Sequence, residues 1–209
     1  MILPALGYLN LASDYLALGS GVVRRRRLEG ALYAFLLYLF VATLTESITI
    51  VLAHLSIVNW WILHIFTLLA YGIVLWVLSC WQTGAIRILF RIIILIGVVL
   101  WALSKFTIEN LGTADLYSQT ISSSLLLVAS GITLLVLKPR MDVSMIDDAR
   151  FWIVSGLLLY TAGNLTSTLL LEKIVALNFS ETMIVYQMHW ALNICVNVIF
   201  AMGYLRLRR

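Results

Sequence analysis

Apolar runs of helix length follow one another along almost the whole chain, separated only by short segments where the charges gather. A helix needs about 20 apolar residues to cross the hydrocarbon of a bilayer. Runs of that length delimit seven segments, at about 2–22, 31–54, 58–81, 86–105, 116–137, 151–171 and 182–205. They are too long and too uniformly apolar for an outer-membrane barrel, whose strands alternate over roughly ten residues. Composition agrees: 62% of the 209 residues are hydrophobic and 11% charged, with a mean hydropathy of +1.01, against about half and about a quarter in a soluble domain. The expected fold is all-α, a polytopic membrane protein whose seven transmembrane helices form one bundle over residues 1–209.

The charges orient this bundle. Cytoplasmic loops carry the excess of Lys and Arg. With the N-terminus outside, Arg24 to Arg27, Arg87, Arg91, Lys138, Arg140, Arg150, Arg206, Arg208 and Arg209 face the cytoplasm, twelve of the fourteen basic residues, leaving Lys105 and Lys173 outside. An odd number of spans is needed to put the Arg-rich C-terminus inside as well. The first segment lacks a basic start and is followed by four arginines, the reverse of a secretory signal. A net charge of +4 is thereby explained by topology and anionic lipid headgroups, and no nucleic acid partner is expected. Trp60, Trp61, Trp81, Trp152 and Tyr204 lie near segment ends and are expected to anchor at the interface. Cys80 and Cys195 fall in apolar runs and are expected to be small buried side chains, not a disulfide.

Ionisable groups in hydrocarbon are costly and need a partner or a purpose. Glu46, His64 and His189 occupy the second, third and seventh segments, and Asp14 the first; Gln119, Ser122, Ser123, Asn164, Thr168, Gln187, Asn193 and Asn197 accompany them. Glu46, His64, Asn164 and His189 each lie six to eight residues from an outer helix end, hence about 9 to 12 Å deep at ~1.5 Å per residue. Helical spacing also gives them common faces: Tyr186, His189, Asn193 and Asn197; Thr161, Asn164 and Thr168; His64, Thr67 and Tyr71. Two readings follow. These groups are interhelical hydrogen-bond glue, or they converge on an outward-facing pocket in which Glu46, His64, Gln119, Ser123, Asn164, His189 and Asn193 meet a small molecule or a proton.

Several chemistries find no footing. A retinal Schiff base needs a lysine within the last helix, and Lys105, Lys138 and Lys173 all lie at helix ends. A zinc hydrolase needs about three His ligands; His54, His64 and His189 supply the number, but His54 sits at the boundary and no His-x-x-x-His pair exists. Gly-x-Ser-x-Gly, phosphate-loop, Cys-x-x-Cys and EF-hand patterns are missing, so no catalytic residue, metal or cofactor is expected.

The stretch FWIVSGLLLYTAGNL from Phe151 to Leu165, with HWALNICVNVIFAMGYLRLRR from His189, resembles the last two helices of small multi-span bacterial membrane modules. Such modules precede histidine kinase domains or stand alone. Gly163, Asn164, His189, Trp190 and Asn193 carry the resemblance. It implies a sensory input domain in a bacterial cytoplasmic (inner) membrane. The sequence ends at Arg209 without a His box or an ATP-binding segment, so signalling is expected to pass to a cytoplasmic partner, or these residues belong to something longer. A small-solute transporter is the alternative, against which stand charge-poor inner helix halves and the peripheral Pro4 and Pro139. A lipid-modifying intramembrane enzyme is the third reading.

Overall fold

The computed structural model describes residues 5–138, 144–174 and 179–207, without the side chains of 172–174 and 179–181. Arg140, Arg208, Arg209 and the Lys173 side chain, which enter the charge count, lie outside that description. The described residues form seven α-helices: α1 (Ala5–Val23), α2 (Gly30–His54), α3 (Trp60–Cys80), α4 (Gly84–Thr107), α5 (Leu116–Val136), α6 (Ala149–Ile174) and α7 (Phe179–Leu205). Each lies within a few residues of an apolar run delimited above. Single 3₁₀ turns at Arg25–Arg27 and Met145–Asp147 precede α2 and α6.

Six helices, α2 to α7, are long and apolar enough to cross a membrane, which marks the chain as an integral membrane protein. The exception is α1, at 19 residues, whose buried stripe is small and polar: Gly7, Asn10, Ser13, Ala17, Ser20 and Gly21. That stripe lets α1 approach α7 and α2 closely, as small residues do between helices in lipid.

Neighbouring helices trace a ring, α1 to α2, α3, α5, α6, α7 and back to α1, and α4 stands outside it against α3 and α5. The position of α4 follows from its sequence. Only 6% of its most apolar window is buried, the least of the six spans, so Ile88, Ile92, Leu95, Val99 and Leu103 turn outward to the bilayer. Its inner contact depends on Gly97, where any Cβ would run into the Tyr71 ring. That ring is fixed in turn by its hydroxyl, which donates to the Ile93 carbonyl at 2.6 Å.

The apolar core fills one end of the ring. Phe35 and Phe200 meet edge to face at 4.9 Å between centroids, with Leu75, Leu78, Ile153 and Leu157 wholly buried around them. Tyr204 is 0% exposed and donates to the Leu32 carbonyl at 3.1 Å. It is therefore a core residue, not the interfacial anchor expected from its place near a helix end. Cys195 departs from expectation in the other direction: it is exposed on α7, where a thiol tolerates lipid, and Cys80 is half-buried.

Gly97→Ala should lower stability by about 1 to 3 kcal/mol, the range for overpacking a tight contact. Gly72→Ala is the matched control, since nothing lies within 4 Å of its added methyl. Thermal unfolding in detergent checks both, and equal midpoints would contradict the packing of α4 on Tyr71.

Candidate functional site

The other end of the ring is hollow. A cavity of about 910 Å³ reaches from Ala53, Trp60, Ala114 and Thr182, near the helix ends, down to Tyr38, Leu126 and Phe200 on the floor formed by the core. All six ring helices line it and α4 contributes nothing. Its volume falls in the range of drug-sized ligand sites.

Six of the seven residues expected at a pocket line this cavity: Glu46, Gln119, Ser123, Asn164, His189 and Asn193. They divide by hydrogen bonding. Gln119 Nε2 donates to Asn164 Oδ1 at 3.1 Å, and Asn164 Nδ2 donates to Ser123 Oγ at 2.9 Å, tying α5 to α6. These three satisfy one another, as interhelical glue does. On the opposite wall Asn10 Nδ2 donates to Glu46 Oε1 at 3.1 Å, and Asn197 Nδ2 to Asp14 Oδ1 at 2.6 Å and Ser13 Oγ at 2.9 Å. His189 Nε2 lies 3.3 Å from Asn193 Nδ2, one helical turn on. Here satisfaction is incomplete, because the buried oxygens Asn10 Oδ1, Asn193 Oδ1 and Thr49 Oγ1 have no hydrogen-bond partner among the described residues.

His64 is placed elsewhere. It is 0% exposed and turns away from the hollow towards α4. Its Nε2 is 3.0 Å from the Thr113 carbonyl, which only accepts, so Nε2 donates and Nδ1 is left to accept from the Lys105 ammonium. The same ammonium lies 2.7 Å from Glu109, 2.8 Å from Ser118 and 3.0 Å from Asp115, so its three N–H groups are shared among four acceptors, and it lies 5.4 Å from the Trp101 ring centroid. Ser118 and the Tyr117 N–H donate to Glu109 as well, at 2.8 and 2.6 Å. This cluster clasps α3, α4 and the start of α5 together at the mouth end. Its wall faces the cavity through Asp115.

The ligand atoms of His64, Glu109 and Asp115 lie within 4.8 Å of one another, close enough to hold a metal ion. The Lys105 ammonium bonds all three, however, and so already provides the cation at their centre. His54 and His189 take no part: His54 pairs with the Tyr8 hydroxyl at 3.1 Å, and His189 with Asn193.

Sequence reasoning put His64 in the pocket because Thr67 and Tyr71, its partners at helical spacing, do line the cavity. A stripe about two turns long still leaves its end members some rotation around the helix, and the pull of a lysine on a neighbouring helix decided its first member. Lys105 passed for a boundary residue. The four-residue spacing to Glu109, with Asp115 and Ser118 following, is the signal that marked the clasp. Asn10 and Asp14, also four apart on α1, marked the acidic wall. No known protein family, curated protein or solved structure matches the chain.

Burial alone would push the Glu109 carboxyl up. Hydrogen bonds from Lys105, Ser118 and the Tyr117 N–H, with the charge of Lys105, outweigh it and hold the pKa below the ordinary 4.5. The stabilisation is thus fully present above pH 4.5 and is lost as the pH falls through the lowered value of the folded state. Lys105→Met should cost about 3 to 5 kcal/mol at neutral pH, because two buried carboxylates lose their counterion. The gap from wild type should narrow as acid protonates Glu109. Thermal unfolding of both proteins across the acid range checks this, and a gap that widens in acid would contradict it.

Proposed function

We propose that the chain is a seven-span sensor or receptor of a bacterial cytoplasmic membrane, its N-terminus outside and its C-terminus in the cytoplasm. A small molecule or proton binds in the cup from outside, and the cytoplasmic helix ends pass the change to a partner protein. The observation that carries this reading is a large hollow, with carboxyl, amide and imidazole groups in its lining, that reaches the helix ends on one side of the ring and stops at a packed aromatic floor on the other.

Orientation is supported by the charges. Arg24 to Arg27, Arg87, Arg91, Lys138, Arg150 and Arg206 all belong to the floor end of the bundle, where the positive-inside rule puts the cytoplasm. Arg206 there bonds Asp147 at 3.1 Å and lies 5.8 Å from the Trp152 ring centroid, joining α7 to the segment before α6. A shift of α7 at the cavity would reach the cytoplasmic face through this contact. Although α1 is not among the six helices long and apolar enough to span, the charge pattern favours counting it as a span, since its far end carries the four arginines.

Two experiments follow. In a chain whose Cys80 and Cys195 are replaced by Ser, a single cysteine at Thr113 should react with an impermeant maleimide on intact cells. One at Ser144 should react only after permeabilisation, and the reverse pattern would overturn the orientation. A cysteine at Gln119 should react from outside alone; reaction from both sides would make the protein a transporter.

Glu46→Gln and His189→Asn, singly and together, test whether the cavity groups are structural. Glu46 bonds Asn10 and His189 bonds Asn193, not each other. Each change should therefore alter stability by less than about 1 kcal/mol and the two effects should add, whereas a broken buried pair costs about 3 to 5 kcal/mol. A double variant more stable than either single one would contradict the reading.

A further inference from the structure

The cavity is lopsided in charge. Asp14, Glu46 and Asp115 line it, and no Lys or Arg does among the described residues. Asp115 is neutralised by Lys105 at 3.0 Å, but Asp14 and Glu46 have no ion-pair partner among the described residues, only the amides of Asn197 and Asn10. Two carboxyl groups in a membrane bundle without a counterion are costly and mark a functional site. The unpartnered atoms around them have the same polarity. Asn10, only 1% exposed, bonds Glu46 through its nitrogen and leaves Oδ1 without a donor among the described residues, and Asn193 Oδ1 is equally unpartnered there. This wall accepts hydrogen bonds and offers negative charge.

Beyond the neutral hydroxyls and amides of the facing wall, much of the lining is aromatic, with Tyr38, Trp60, Phe66, Tyr160, Tyr186 and Trp190 around the hollow. Aromatic faces attract a cation and also cover an apolar body. A bare metal ion or proton leaves most of 910 Å³ unused, while a phosphate or carboxylate ligand would meet like charge. Resting on the receptor reading of this same cavity, we propose that its ligand is an organic cation, a protonated amine on an apolar body. The ammonium sits between Asp14 and Glu46 and donates to Asn10 Oδ1 and Asn193 Oδ1.

The test uses the full chain in nanodiscs of zwitterionic lipid, with empty nanodiscs correcting for partition into the bilayer. Probes are matched in shape and differ in charge: phenethylamine, phenethyl alcohol and phenylpropionate; tryptamine, tryptophol and indolepropionate. Tryptophan fluorescence and thermal unfolding are read together. The amines should bind saturably and raise the unfolding temperature, and the alcohols and carboxylates should not. Asp14→Asn with Glu46→Gln should weaken amine binding at least about thirtyfold, the effect of removing one side of a desolvated charge pair. If the double variant does not purify as a single species, the two single variants carry the same expectation, each with saturable binding weakened.

Alcohols or carboxylates that bind as tightly as the amines would overturn the cationic ligand and leave the receptor reading intact. Amines that fail to bind, or bind the variants unchanged, would also overturn it. The cysteine at Gln119 keeps the two claims apart: if no probe binds and that cysteine is closed to reagent from outside, the outward cup itself falls.

Discussion

Hydrocarbon offers no hydrogen bonds, so the polar side chains that the membrane-spanning helices carry into the bundle depend on partners within it. That requirement organises the whole structure. Helices turn their polar stripes inward and their apolar faces to lipid, and six of them close a ring because six carry such stripes. The span that stays outside, α4, carries its polar groups near its two ends, Arg87 and Arg91 at one and Ser104 and Lys105 at the other, and is held by Gly97 against Tyr71 and by Lys105.

Satisfaction is uneven within that ring. At the mouth, Lys105 gathers His64, Glu109, Asp115 and Ser118 into one set of bonds, in which Asp115 Oδ2 alone lacks a donor among the described residues, and along one wall Gln119, Asn164 and Ser123 complete one another. Among the described residues, the facing wall leaves Asn10 Oδ1 and Asn193 Oδ1 unpaired and two carboxyl groups without a counterion. Groups that close on themselves hold helices together, and groups left open are those with capacity for something from outside. Glue and pocket are both present, on different walls.

The helices were legible in the sequence because lipid imposes a length on each apolar run, and boundaries at charge clusters came within a few residues of those observed. Depth was legible too, since rise per residue converts position into ångströms, and it brought Glu46, Asn164 and His189 to one cavity. Rotation was less so. His64 shares a stripe with Thr67 and Tyr71 yet turns to Lys105, because a partner on a helix distant in sequence outweighs spacing within its own. Tyr204 was misplaced for a related reason: nearness to a helix end says nothing of whether the chain beside it, here Leu32 on α2, covers the ring. The order of helices around the ring, with α4 excluded, rests on contacts between segments that periodicity within one segment does not encode.

A hollow at one end of a six-helix ring, closed at its middle, is the claim on which the function depends, and α7 runs through all of it. Nitroxide labels placed singly along that helix, with collision rates measured to a water-soluble nickel chelate and to oxygen, report the surroundings of each position. Labels at 186, 189 and 193 should meet the chelate, those at 200 and 204 should meet neither reagent, and those at 188, 195 and 198, on the outer face, should meet oxygen. Chelate contact at 200 and 204 would open the floor, and oxygen contact at 189 and 193 would turn the polar stripe to lipid; either result would contradict the cup.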